Sequence, residues 1–262
     1  TAYNTRIITP PTGSMIPTAP VKKNIALVAF ALGILIPVVI IFIRENVNTK
    51  VRGRKDLESL SVPFVGEIPL VVSNKKKNAQ AQKEIIIHQG KRDIVNEAFR
   101  VLRTNLEFIL DAKNDKDKAS VTLVTSFNPG SGKTFLTMNT AATFALKGKR
   151  VLVIDGDLRH GSASSYLGKH AKGLSDYLGK REKDADSLIQ ETTGSPNLYL
   201  LPAGTIPPNP TELLAEPSFK ELIERLCNQY DYIFIDCPPI DIVADTQIIE
   251  KLLEGVEVRL NI

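Results

Sequence analysis

The sequence predicts an α/β protein built on a mostly parallel, doubly wound sheet and preceded by one transmembrane helix. Three observations carry that prediction. Val121–Asn139 reads as an apolar strand, a glycine-bearing loop, Gly-Lys-Thr and then a helix. Two further apolar runs, at Arg150–Asp155 and Tyr230–Asp236, each end in an aspartate. Ile25–Ile43 is a 19-residue uncharged, almost wholly apolar stretch, long enough as a helix to cross a bilayer core.

Length and composition set the outer bounds. At 262 residues the chain can hold one α/β domain with appendages. The formal charge of +4 is concentrated at Lys50–Lys55 and Lys75–Lys77, too locally to make a nucleic-acid footprint. Cys227 and Cys237 have no metal-ligand neighbours in sequence, so they read as free thiols in a reducing compartment.

Taken in order, residues 1–24 read as a Pro/Thr-rich extracytoplasmic segment and 25–43 as the transmembrane helix, in which Gly33 and Pro37 are tolerated. Lys22 and Lys23 precede the span, whereas Arg44, Lys50, Arg52, Arg54 and Lys55 follow it. That excess places the C-terminal side in the cytoplasm, with a single pass through the membrane. Residues 44–92 form a juxtamembrane linker with a short strand expected at Val62–Ile68 and a polar run at Ser73–Lys83. Residues 93–262 make the nucleotide domain. Its first helix, Asp93–Leu110, carries Val95, Phe99, Leu102, Leu106 and Ile109 as one stripe. On the same helix Glu97, Arg100 and Arg103 share a polar face by their spacing of three. Asp111–Ser120 is a charged connection. Short helices are expected at Leu174–Leu178, Ala185–Gln190, Glu212–Ala215 and Ser218–Leu226, with strands at Asn197–Leu201 and from Gly255 onward.

The chemistry sits at the ends of the strands. Gly130 and Gly132 let backbone N–H groups close around a polyphosphate at a helix N-terminus, with Ser131 between them and Phe135 next along the helix. Lys133 can reach the β- and γ-phosphates, and Thr134 offers a hydroxyl to Mg²⁺. Phe127 stands where the full phosphate-loop pattern has its first glycine. Asp155, Asp157 and Asp236 fall where open α/β sheets bind ligands. They can surround Mg²⁺ directly or through water, and Asp155 or Asp157, with preference for Asp155, can receive a proton from an attacking hydroxyl. Together these segments define a P-loop NTPase domain that uses ATP and Mg²⁺.

With those residues in view, the chain resembles the bacterial tyrosine kinases (BY-kinases) of capsular and exopolysaccharide biosynthesis. The resemblance runs from about Pro17 to Ile249 and rests on Ser126–Thr134, Ile154–Arg159, Phe234–Pro239, Pro207–Leu214 and Glu97–Leu106. It implies a chain-length-determinant membrane helix followed by a cytoplasmic kinase domain. It also implies autophosphorylation on tyrosine-bearing tails of neighbouring subunits, and contact with the polysaccharide export machinery. By the same resemblance, Glu97, Arg100 and Arg103 make the subunit contact of a homo-oligomeric ring. Partition and division-site ATPases share the fold but carry a second lysine five residues before the phosphate-loop lysine, where this chain has Asn128. Two features depart from the family: the six tyrosines form no C-terminal cluster, and the chain stops after Ile262 where further strands would follow. A chain truncated at both ends is therefore expected. Two other readings remain open at this stage, a catalytically silent scaffold or chain-length regulator and an ATPase switch without tyrosine chemistry.

Overall fold

Three strands carry almost nothing but buried side chains. In the computed structural model these are β1 (Ser120–Thr125), β2 (Val151–Asp155) and β5 (Tyr232–Asp236), each buried along its whole length. Such runs fit parallel strands covered on both faces. The structure describes residues 13, 21–46, 62–70, 84–90, 93–111, 118–167, 172–240, 245–253 and 257–261. With β3 (Gln190–Glu191), β4 (Leu198–Leu201) and β6 (Glu257–Asn261) the strands form one sheet of order β3-β4-β2-β5-β1-β6. Every pairing is parallel except β3 with β4. This is the doubly wound α/β sheet that the strand–loop–helix pattern predicts.

Alternation along the strands divides the core between the two faces. Val124, Val151, Val153 and Phe234 meet α2 (Ile94–Asp111) and α3 (Lys133–Ala145) on one side. Leu123, Leu152, Ile154, Ile233 and Ile235 meet residues of α4 (Leu174–Leu178), α5 (Pro210–Ala215), α6 (Pro217–Leu226) and α7 (Asp245–Leu252) on the other. The α2 stripe buries Phe99, Leu102, Leu106 and Leu110. Leu110, rather than the expected Ile109, completes it, since i+4 from Leu106 returns to the same face.

Three expectations shift. The strand expected at Val62–Ile68 does not form: Asn105 Nδ2 of α2 donates to the Val65 carbonyl at 2.7 Å and Gly66 sits close against Leu102. Ala185–Gln190 yields a single 3₁₀ turn at Asp186–Leu188, because Gln190 and Glu191 pair with Leu200 and Tyr199. The compact unit also begins at Val65, earlier than the expected Asp93. Val65, Ile68 and Ile85–Ile87 pack on the α2–α3 side, and Ile86 N–H donates to Asn139 Oδ1 of α3 at 2.9 Å. Apolar side chains in a stretch expected to be solvated linker explain that recruitment.

The other unit contains α1 (Lys22–Asn46), with Pro37 inside it. It is long and apolar enough to cross a membrane, and none of its apolar window is buried. Thr1–Thr12, Ser14–Pro20, the basic run Lys50–Lys55 and the linker Ser73–Lys83 lie outside the described residues, as do residues 112–117 of the charged connection.

Candidate active site

The site is assembled at the C-terminal edge of the parallel strands. The loop after β1 turns into α3 through Gly130 and Gly132, whose φ angles are +76° and +88°. Side chains other than glycine rarely adopt these angles. Gly132 is the residue from which α3 starts, so the N–H groups of its first turn, which have no partner within the helix, point back toward the loop. The Ser126–Gly132 loop is pinned by its own polar groups: Ser126 Oγ and Ser131 Oγ both donate to the Asn128 carbonyl, at 2.8 and 2.7 Å.

A cavity of about 420 Å³ opens on this loop. Of the expected residues, Gly130, Gly132, Lys133, Thr134, Phe135 and Asp157 line it; Ser131 does not. Pro238 and Pro239, following β5, close one wall. They are held there because the Pro238 carbonyl accepts from Thr125 Oγ1 and Thr246 Oγ1. Arg159, His160 and Ser162, following β2, complete the other side.

The carboxylates form two layers. Asp155 and Asp236 are register partners on adjacent strands, both fully buried beneath the cavity. Asp157 reaches its surface. Thr134 Oγ1 donates to Asp236 Oδ2 at 2.6 Å, and Lys133 Nζ lies 3.6 Å from Asp236 Oδ1 and 3.8 Å from Asp157 Oδ2. Asp157 Oδ1 accepts the backbone N–H groups of Arg159 and His160, at 3.3 and 3.1 Å, which fixes the turn after β2. Its Oδ2 remains toward Lys133 and the cavity.

Asp155 is held differently. Its Oδ2 accepts both the N–H and the Oγ–H of Ser164 at 2.8 Å, while Oδ1 is buried without a partner among the described residues. Burial, reinforced by the neighbouring Asp236 charge, pushes its carboxyl up to about 7 against the two Ser164 bonds. Burial also raises Asp236, opposed chiefly by Lys133 and Thr134. A buried acceptor lacking a donor is costly. Asp155 is the register partner of Asp236, which holds the Thr134 hydroxyl, and Asp157 is close by, so together they make a donor set of hard oxygens suited to Mg²⁺. Among the described residues no three His, Cys, Asp or Glu side chains form a metal cage. Mg²⁺ that shares phosphate oxygens and waters needs none. The residues therefore fit a Mg²⁺–nucleotide.

A pH signature follows for the nucleotide-free protein. Because the folded Asp155 binds its proton more tightly than the unfolded one, the native state holds the extra proton between about pH 4 and pH 7. Stability from this group is thus present at the acid end of that window and is lost as pH rises through it, by a few kcal/mol. Urea midpoints measured across that window should fall with pH, and Asp155→Asn, which keeps an acceptor for Ser164, should flatten the fall. Equal slopes in both proteins would refute the assignment.

The expected oligomerisation residues sit on α2. Arg100 Nη1 pairs with Glu97 Oε2 at 3.0 Å on the exposed side. Arg103 is turned inward, donating from Nη1 to the Thr143 carbonyl of α3 at 3.1 Å. Residues that the sequence did not single out are Ser164, which orients Asp155, and Asp245 and Thr211, which hold Arg159. Thr211 falls in the PPNPTELL stretch, but nothing local marks Ser164 or Asp245.

Comparison with known proteins gives concordant matches. A protein-family model described as an AAA domain matches residues 119–250. Tyrosine-protein kinase wzc of Salmonella typhimurium is 33% identical over 243 residues, covering 88% of this chain and 33% of its own. Tyrosine-protein kinase YwqD of Bacillus subtilis is 35% identical over 182 residues, covering 69% of this chain and 74% of its own. The solved kinase domain of Escherichia coli tyrosine kinase ETK superposes with a TM-score of 0.69 at 28% identity, covering 81% of this chain and 82% of that domain. The chain spans about a third of the length of wzc and similar curated relatives.

Proposed function

Since this chain belongs to the bacterial tyrosine-protein kinase family, we propose that its cavity binds ATP and transfers the γ-phosphoryl group to protein tyrosine. The observation that carries the reading is the convergence of Lys133, Thr134 and Asp157 on one cavity at the start of α3, above Asp236.

In this reading the tyrosine oxygen attacks the γ-phosphorus. The new O–P bond forms as the bond to the β–γ bridging oxygen breaks. ADP leaves with that electron pair, and the phenolic proton passes to a carboxylate. Asp157 is the better placed acceptor, because it lines the cavity while Asp155 lies beneath it. Lys133 would leave its two carboxylates to neutralise charge building on the transferring group, and the loop amides would hold the phosphates, save Pro129, which has no N–H. Thr134 and Asp157, with Asp236 and Asp155 beneath them, are the residues that would hold Mg²⁺, which would neutralise phosphate charge there.

The wider setting is inferred too. α1 would anchor the chain in the inner membrane by a single pass, with the kinase unit on the cytoplasmic side where ATP is available. Glu97 and Arg100, beside the exposed Ile94, Val101 and Phe108 at spacings of seven on α2, would face a second copy of the chain, and Arg103 would steady the helix from behind. Neighbouring tyrosine-bearing tails and the polysaccharide export machinery are the partners this reading entails.

The test is an incubation of the full chain in detergent micelles with Mg-ATP and a separate tyrosine-rich peptide, read with an anti-phosphotyrosine antibody. Phosphotyrosine on chain or peptide is expected. Phosphate release without any phosphotyrosine would instead mark an ATPase switch.

A further inference from the structure

The cavity contains a second cation that the phosphotransfer scheme leaves without a role. Arg159 follows β2, whereas the phosphate loop follows β1, and the strand order sets β5 between them. The guanidinium thus belongs to the wall across from the loop, with Asp236 of β5 between the two. It is held from behind by a closed set of hydrogen bonds. Nε donates to Asp245 Oδ2 at 3.0 Å, and Nη2 donates to Asp245 Oδ1 at 3.3 Å and to Thr211 Oγ1 at 2.9 Å. Thr211 Oγ1 then donates to Asp245 Oδ1 at 2.6 Å. Each direction is forced: the guanidinium only donates and the carboxylate only accepts, so the hydroxyl proton has one place to go.

This differs from an ordinary surface ion pair, in which both partners stay wet and little is gained. The Asp245 side chain is 1% exposed and the Arg159 side chain 37% exposed. The charge is anchored on a buried acid and open toward the cavity. Nε and Nη2 face the anchor, which leaves Nη1 as the donor pair not engaged by Asp245 or Thr211. Ordering a guanidinium before its ligand arrives removes much of the entropy that binding would otherwise cost. Lys133 and the loop amides approach the polyphosphate from the α3 end; a fixed fork on the far wall of the same cavity can approach its terminal phosphate from the other side.

We infer that Arg159 binds the terminal phosphate of the nucleoside triphosphate, and that Asp245 and Thr211 are positioning residues that set its guanidinium. The inference rests on the reading of this cavity as a nucleotide site, though not on tyrosine as the acceptor.

The experiment is calorimetric titration of the full chain in detergent micelles with Mg-ADP and with a Mg²⁺-bound β,γ-imido ATP analogue. Arg159→Gln should weaken the analogue about tenfold or more, the scale of a lost charge-assisted hydrogen bond, and leave ADP within about twofold. Thr211→Val should move the same ratio by a smaller factor, and Thr211→Ser, which keeps the Oγ1 bonds, should restore it. Parallel losses for ADP and analogue in Arg159→Gln would make the residue a structural strut and overturn the inference, as would identical behaviour of Thr211→Val and Thr211→Ser. Because the readout is binding, a chain that binds both nucleotides yet forms no phosphotyrosine sinks the kinase reading alone. One that binds neither sinks both.

Discussion

Lys133→Met should abolish phosphotyrosine formation, lowering the turnover by about a thousandfold or more while the protein remains folded. The expectation follows from where the ammonium sits. Phosphoryl transfer asks for little covalent help, so most of its acceleration is positioning and charge stabilisation. A preorganised donor aimed at the developing charge is worth about 10²–10³ in rate when removed. Lys133 adds a full charge inside a water-poor site: it is 8% exposed and its nearest counter-ions are themselves buried. Methionine matches the length of the stem and keeps its packing but carries no charge. It also leaves Asp236 without the cation that opposes its burial, so that carboxyl should take up a proton more readily. Two quantities need measuring on the same preparation: the initial rate of phosphotyrosine formation and the thermal midpoint by circular dichroism. A wild-type rate in a folded variant would remove Lys133 from the mechanism.

The fold was readable largely because parallel strands buried on both faces must be apolar throughout. Val121–Thr125, Val151–Asp155 and Tyr232–Asp236 each show such a run, and each points its C-terminal end at the site. The phosphate loop was readable for a related reason, since positive φ angles at Gly130 and Gly132 narrow the residue choice to glycine. What escaped was decided by tertiary contact. Val62–Ile68 looks like a strand by composition but forms none, and Val65 instead accepts from Asn105 of α2. Gln190 looks helical until Leu200 supplies a pairing partner. The ranking of the carboxylates was equally hidden. IDGDLR places Asp155 and Asp157 two residues apart, and only the structure separates the one sealed against Ser164 from the one on the cavity wall. The clamp on Arg159 joins residues 52 and 86 positions away, beyond the reach of any local pattern.

That separation of the two aspartates leads to the second large effect. Asp157→Asn should lower the phosphotransfer rate by about 10²–10⁴, the range for a lost general base, with a much smaller change in stability. The amide oxygen can still accept from the Arg159 and His160 N–H groups, so the turn after β2 should hold its shape. What disappears is the negative charge 3.8 Å from Lys133 and the site that can take a phenolic proton. Asp155→Asn makes the contrast. It keeps the Ser164 bonds and relieves a carboxylate that burial already drives toward its neutral form, so its rate loss should track weakened Mg²⁺ affinity. Raising Mg²⁺ should therefore recover much of the rate in Asp155→Asn and little of it in Asp157→Asn. The reverse pattern, with rescue confined to Asp157→Asn, would return the proton-accepting role to Asp155 and make the cavity-facing carboxylate an electrostatic support for Lys133.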